Sequence, residues 1–154
     1  MDMTEAEVKR ELEIGFEYCY QHEDWVEPVE QALAGLTAEQ ALWRPNPEVK
    51  GIWDMVLHLA AWNENIVERT ETGQKAHPAE GAWPPPPDLP SEEAWTAAKQ
   101  RLIRSYEAVR QLIASNSLDK LQSAPYGIGD LLCRFTHSGY HLGQISKIRE
   151  MKGM

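Results

Sequence analysis

Four long segments place apolar residues three or four positions apart, and this spacing constrains the fold more than any other feature. In the first segment, Val8, Leu12 and Phe16 form one apolar stripe. Such spacing is typical of an amphipathic α-helix, and no stretch shows the alternation of a β-strand or an internal repeat. We therefore predict an all-α protein, a bundle of four principal helices. The predicted helices span about 4–22, 52–70, 92–115 and 128–150.

Length, charge and cysteine usage narrow the class of protein. A chain of 154 residues suits one compact domain, which we expect to span 1–154. The formal net charge of -9 disfavours a nucleic-acid partner. The chain has no apolar run long enough for a membrane span and its N-terminus lacks a signal-peptide pattern. Its two cysteines, Cys19 and Cys133, form no CxxC motif. We expect free thiols and a cytoplasmic protein.

Capping and breaking residues predict the connections. Thr4 is a suitable N-cap for the first helix, and Pro28 predicts a break near 22–26. Asp24 is expected to cap a further helix that continues to about Leu33, with Glu27 completing a capping box. Segment 35–50 should be a connection containing a helical turn at 37–40. Segment 118–127 should be a second connection.

Residues 73–90 form the clearest linker, with four consecutive prolines after Trp83. Such a run favours an extended polyproline conformation. Two interpretations are open. The segment could cover the mouth of a pocket, since long loops are often functional, or it could be a surface strap between two helices.

Three histidines are the candidate site. His137 and His141 are four residues apart and therefore lie on one face of a helix, where both rings can reach one metal ion. His58, in an apolar helical segment, is the candidate third ligand. Three imidazoles would leave a divalent ion with open positions, at which water or a thiol could become a nucleophile. The alternative is that each histidine is simply a hydrogen-bonded core residue.

Neighbouring residues have both functional and structural interpretations. Gln144, one turn beyond His141, is a candidate to orient a ligand, or else a surface residue. Asp54 could orient His58 or compensate the helix N-terminus. Cys133 could lie near the metal or be buried and inert. Gly139 and Gly143 indicate that a backbone or ligand approaches closely.

The remaining polar and aromatic residues receive simpler predictions. His22 and His77 fall in predicted loops and should be exposed, although His22 stays open as a fourth ligand. Tyr140 lies on a different face of the helix from His137 and His141 and is expected in the core or at an interface. Glu64 and Glu68 should be solvated. We expect most tryptophans to be core residues, and Trp62 is also a candidate wall of the pocket. The tryptophans in question are Trp25, Trp43, Trp53, Trp62 and Trp95.

The sequence resembles the DinB/YfiT-like superfamily of bacterial four-helix bundles over most of its length. The resemblance rests on three stretches. One runs from Leu33 through Trp43-Arg44-Pro45, and one is 52–62, which contains His58. The last, 137–145, is similar to the family pattern H-x-x-Y-H-x-G-Q-I.

The resemblance implies a triad of metal ligands at His58, His137 and His141, with nickel or zinc as the ion. It further implies a small-molecule substrate, a low-molecular-weight thiol in some relatives, and a homodimer. Some relatives are thiol-dependent transferases or isomerases and some are hydrolases. From this we expect a metal-dependent transferase or hydrolase. The alternative is a non-catalytic metal- or ligand-binding bundle that acts in stress response.

Overall fold

The computed structural model describes residues 3–24 and 26–154. Trp25, expected in the core, lies outside these residues. The described residues form helices and no β-strand, which confirms the all-α prediction. The helices are α1 (Glu5–Glu17), α2 (Val29–Ala32), α3 (Ala38–Leu42), α4 (Ile52–Thr72), α5 (Glu92–Ser115), α6 (Leu118–Ser123) and α7 (Gly127–Lys152).

The four longest helices, α1, α4, α5 and α7, form the predicted bundle. Helix α1 packs against α5 and α7, and α4 packs against the same two helices. Aromatic contacts fill the core between them, because large rings remove much apolar surface from water. The rings of Trp53 and Trp95 lie 5.1 Å apart between α4 and α5, and those of Phe16 and Phe135 lie 5.8 Å apart between α1 and α7.

Helices α4 and α5 run in the same direction, although they follow each other in the chain. Trp53 contacts Trp95 near the start of both helices, and Asn63 donates a hydrogen bond to Ser105 further along both. The chain must therefore return along the full length of α4 before α5 can begin. An α-helix rises about 1.5 Å per residue, so this return covers about 30 Å. Residues 73–91 make the return, and we call this segment the strap.

Capping residues fix most helix ends where the sequence predicts them. Thr4 and Glu7 form a reciprocal capping box at the start of α1. Ser91 accepts a hydrogen bond from the backbone N–H of Ala94 at the start of α5. Gly73 and Gly153 end α4 and α7 in the left-handed conformation, which glycine adopts without steric cost.

Two predictions near the N-terminus are wrong. Helix α1 ends at Glu17 rather than near 22, and residues 18–21 form a turn. The next helix is a single turn that begins after Pro28, whose fixed φ suits a helix start. Asp24 therefore caps no helix, and the predicted capping box with Glu27 is absent because both residues precede α2.

Helix α6 lies in segment 118–127, where we predicted only a connection. Ser117 caps it by accepting a hydrogen bond from the backbone N–H of Lys120, and Leu121 is buried. A helix of six residues with one buried leucine produces too short a pattern to detect. Within the part of the chain described, no helix combines the length and apolarity needed to cross a membrane.

Candidate metal centre

Helices α4 and α7 bring His58, His137 and His141 together. One ring nitrogen from each residue lies within 4.8 Å of the other two. The Nε2 atom of His137 is 2.8 Å from His58 Nε2 and 3.1 Å from His141 Nε2. Among the described residues no carboxylate or thiol joins this cluster. His58 and His141 are each 5% exposed, and His137 is half-buried.

Hydrogen bonds at the far side of two rings determine where their protons lie. His58 Nδ1 is 2.5 Å from the carbonyl oxygen of Ala82. A carbonyl only accepts, so His58 Nδ1 carries the proton and its Nε2 presents a lone pair. His141 Nδ1 is 2.7 Å from Gln144 Oε1, which gives His141 the same tautomer.

This arrangement leaves too few protons at the centre of the cluster. Two lone pairs, on His58 and His141, face His137 Nε2. That nitrogen carries at most one proton and can satisfy only one of them. A buried acceptor without a donor is costly, whereas a cation at this point would satisfy all three nitrogens.

The electrostatic environment keeps the rings neutral, which is the form that binds metals. Burial lowers the pKa of His58 to about 4, although its bond to Ala82 opposes the shift. Burial also lowers the pKa of His137 to about 3, and the positive charge of Arg134 adds to this effect. The pKa of His141 is lowered by the same two causes, partly offset by Gln144.

The spacing of the nitrogens fits a first-row divalent ion. A tetrahedral ion about 2.0–2.1 Å from each imidazole nitrogen holds its ligand nitrogens about 3.3 Å apart. The separations of 2.8 and 3.1 Å are shorter than this by about 0.5 and 0.2 Å, and the third pair, His58 and His141, lies within 4.8 Å. Three imidazole nitrogens this close together form a donor set that fits such a group.

The strap lies directly on the cluster. Besides the Ala82 carbonyl bond, Trp83 stacks on His58 with ring centroids 3.7 Å apart and meets the His141 ring edge-on at 5.6 Å. The ammonium of Lys50 lies 5.2 Å from the Trp83 ring. The strap connects two helices and contacts the cluster through Ala82 and Trp83. The sequence pattern indicated neither of these two contacts.

Gln144 and Asp54 differ in their relation to the cluster. Gln144 Oε1 contacts His141 Nδ1 at 2.7 Å, and Gln144 Nε2 donates to the Tyr140 hydroxyl at 2.9 Å, so the side chain is held at both ends of its amide. Asp54 does not orient His58. Its carboxylate accepts from the Gly51 backbone N–H at 2.8 Å and pairs with Arg44 at 2.7 Å, so it caps the start of α4.

Other candidate residues lie outside the cluster. His22 and His77 are exposed, as predicted, and neither joins the three ring nitrogens. Cys133 is exposed rather than buried. No other backbone approaches Gly143, because a Cβ there would have no protein atom within 4 Å. At Gly139 a Cβ would meet only the Val26 side chain, at an ordinary 3.5 Å.

Aromatic and acidic residues also occupy definite positions. Trp53 and Trp95 are buried as predicted, whereas Trp43 and Trp62 are half-buried. The Trp62 ring lies 6.4 Å from that of His58. Tyr140 is 63% exposed and is therefore not a core residue. Glu64 and Glu68 are exposed, as predicted.

Sequence comparison agrees with the fold and the cluster. The chain matches the family model of the DinB superfamily over residues 25–145, and this match contains all three histidines. The chain therefore belongs to the DinB superfamily. Comparisons with curated proteins and with solved structures find no significant match.

Proposed function

We propose that this chain is a metal-dependent enzyme acting on a small molecule, as a thiol-dependent transferase or a hydrolase. The convergence of three neutral imidazole nitrogens at one point, with His137 half-buried, carries the proposal. A divalent ion there, zinc or nickel, would lower the pKa of a water or thiol and so supply a nucleophile at neutral pH.

The chain's own residues have separate roles in this proposal. His58, His137 and His141 would hold the ion through their Nε2 atoms. Ala82 and Gln144 fix the tautomers of two of these rings by accepting their Nδ1 protons. Trp83 excludes water from one side of the cluster by stacking on His58.

Elemental analysis of protein purified without an affinity tag tests the metal. The expected result is one zinc or nickel ion per chain in the wild type, lost in His137→Ala. His77→Ala is the matched control, because His77 is exposed and outside the cluster. Absence of metal after incubation with both ions would contradict the proposed site.

A second measurement tests catalysis. Metal-loaded protein is screened against thiol-acceptor pairs and esters. His58→Ala should lose both metal and turnover. Turnover that persists in the metal-free variant would exclude this mechanism.

A non-catalytic ligand-binding bundle is the second candidate. The near-complete burial of His58 and His141 favours a bundle that binds a metal ion without turnover, because an ion needs less room at the site than a substrate. Tight binding of a small ligand by the metal-loaded protein, without turnover across the screen, would support this candidate over the enzyme.

A further inference from the structure

Arg134 lies beside the histidine cluster. Its Nη1 atom is 3.5 Å from His137 Nδ1, and its guanidinium lies 5.0 Å from the Trp62 ring. Its Nε atom is buried and has no hydrogen-bond partner among the described residues. The side chain is thus held against aromatic surface one turn from a candidate ligand.

Arg134 differs from the other partly buried arginines in its lack of an oxygen acceptor among the described residues. Arg149 donates to backbone carbonyls, including that of Ala32 at 2.6 Å. The other four pair with carboxylates, and the pairs are Arg44–Asp54, Arg69–Asp130, Arg101–Glu64 and Arg110–Glu17. The chain has 24 acidic residues against 15 lysines and arginines, so acceptors are abundant. Arg134 Nη2 contacts the Cys133 sulfur at 3.9 Å, which is a weak acceptor. A guanidinium without an oxygen acceptor in such a protein indicates an external partner.

The contact with His137 does not satisfy Arg134. A separation of 3.5 Å is long for a hydrogen bond. When His137 Nε2 faces a metal ion, its proton resides on Nδ1, and two donors then face each other. The guanidinium therefore needs another acceptor once the cluster is loaded.

The charges near the cluster also favour an anion. Arg134 Nη1 lies 3.5 Å from His137 Nδ1, and the Lys50 ammonium lies 5.2 Å from the Trp83 ring that stacks on His58. Three neutral imidazoles contribute no charge to balance a divalent ion. The loaded site would therefore concentrate positive charge with no carboxylate among its described ligands.

We propose that Arg134 is a specificity-determining residue that binds a carboxylate on the small molecule taken up by the three-histidine site. The inference rests on the proposed function. A planar carboxylate matches the fork of a guanidinium, and the half-buried side of the cluster, at His137, is the side where Arg134 lies. The substrate class is a small molecule with a metal-binding group, such as a thiol, and a carboxylate a few bonds away.

Binding of two thiols to the cobalt-loaded protein tests the proposal without any assumption about the reaction. The probes are 3-mercaptopropionate and 3-mercaptopropanol, which differ only in the carboxylate. Each is titrated while the sulfur-to-cobalt charge-transfer absorption is recorded. In the wild type we expect the carboxylate thiol to bind about tenfold to a hundredfold more tightly, as suits a charge-assisted contact.

The variants separate Arg134 from general electrostatics. In Arg134→Gln the ratio of the two thiol affinities should fall to the value that coordination to cobalt alone produces. Arg134→Lys should retain part of the preference for the carboxylate thiol. Arg104→Gln removes an exposed arginine of α5 and should leave the preference unchanged. Cobalt content and the circular dichroism of each variant establish that the site and fold are intact.

Three failures are distinguishable. Wild-type protein that binds no cobalt would overturn the proposed function. Cobalt-loaded protein that shows no charge-transfer band with either thiol would overturn both the thiol-dependent reaction and the carboxylate proposal, and would leave a hydrolase. Cobalt-loaded proteins whose thiol preference is the same in the wild type and Arg134→Gln would overturn the carboxylate proposal alone.

Discussion

The two cysteines show how position on a helix decides the chemistry of a side chain. Cys19 lies in the turn after α1, is buried, and donates its thiol proton to the Phe16 carbonyl at 3.0 Å. Burial raises its pKa to about 12 from an ordinary value of 9.0. Cys133 is exposed on α7. Because the thiolate is the reactive form, the two residues should react very differently.

Iodoacetamide at pH 8 should therefore modify Cys133 and leave Cys19 untouched. At this pH, below its raised pKa, the buried thiol stays protonated, whereas unfolding exposes it and restores ordinary ionisation. Intact-mass spectrometry should show one adduct on the native protein and two after denaturation. Cys133→Ser should show none when native. Two adducts on the native wild type would contradict the burial of Cys19.

At the scale of elements, the long helices could be predicted because their periodicity and end signals agree. The Ser91 cap and the terminal residues Gly73 and Gly153 lie where the structure ends the helices. The pairing of His137 with His141 followed from helical spacing. The short helix α6 and the true start of α2 could not be predicted, because helices of four to six residues are too short to show a repeating apolar pattern.

The residues that contact the three histidine rings were less predictable than the histidines themselves. Ala82 contributes a backbone carbonyl, which any residue type could supply. Trp83 reaches His58 only because the strap returns along α4, a consequence of the direction of α5. Arg134 differs from the other partly buried arginines only in its lack of an oxygen acceptor among the described residues. The sequence around an arginine does not show which distant segments it contacts.

Gly143 in helix α7 has no packing contact that requires a glycine at this position. Gly143 is exposed and a Cβ there would meet nothing within 4 Å. Gly143→Ala should stabilise the protein by about 1 kcal/mol, because glycine weakens a helix interior through backbone entropy. Urea unfolding measures the change.

Gly51→Ala should instead destabilise the protein, and it serves as the contrasting variant. A Cβ at Gly51 would lie 2.6 Å from the backbone oxygen of Trp43, so the chain must shift. If Gly143→Ala destabilises the protein while Gly51→Ala does not, the packing described for the two glycines is incorrect.

The strap contacts the cluster directly through Trp83, which stacks on His58. Trp83→Ala removes the ring stacked on His58, so a chelator should extract metal from the loaded protein about tenfold faster. Absorbance of a chelating dye follows the release. Leu89→Ala, at a position 78% exposed on the same strap, is the matched control. Equal release rates in the two variants would show that Trp83 does not protect the site.

At the scale of the whole molecule, the cluster joins parts that are distant in sequence. His58 belongs to α4, His137 and His141 belong to α7, and Ala82 belongs to the strap. An ion at this point would connect α4 directly to α7, and the strap through the bond between His58 and Ala82. These three segments are far apart in the unfolded chain. Metal binding should therefore stabilise the entire bundle, since a ligand that prefers the folded state shifts the unfolding equilibrium.

Adding zinc or nickel to metal-free protein should raise its melting temperature. Free metal at a hundredfold excess over its Kd contributes about 2.7 kcal/mol, which for a chain of this size corresponds to about 5–11 °C. Differential scanning calorimetry gives the shift, and His58→Ala should abolish it while His77→Ala retains it. An equal shift in His58→Ala would place the stabilising ion elsewhere, because removing His58 takes away the α4 ligand that connects the two helices.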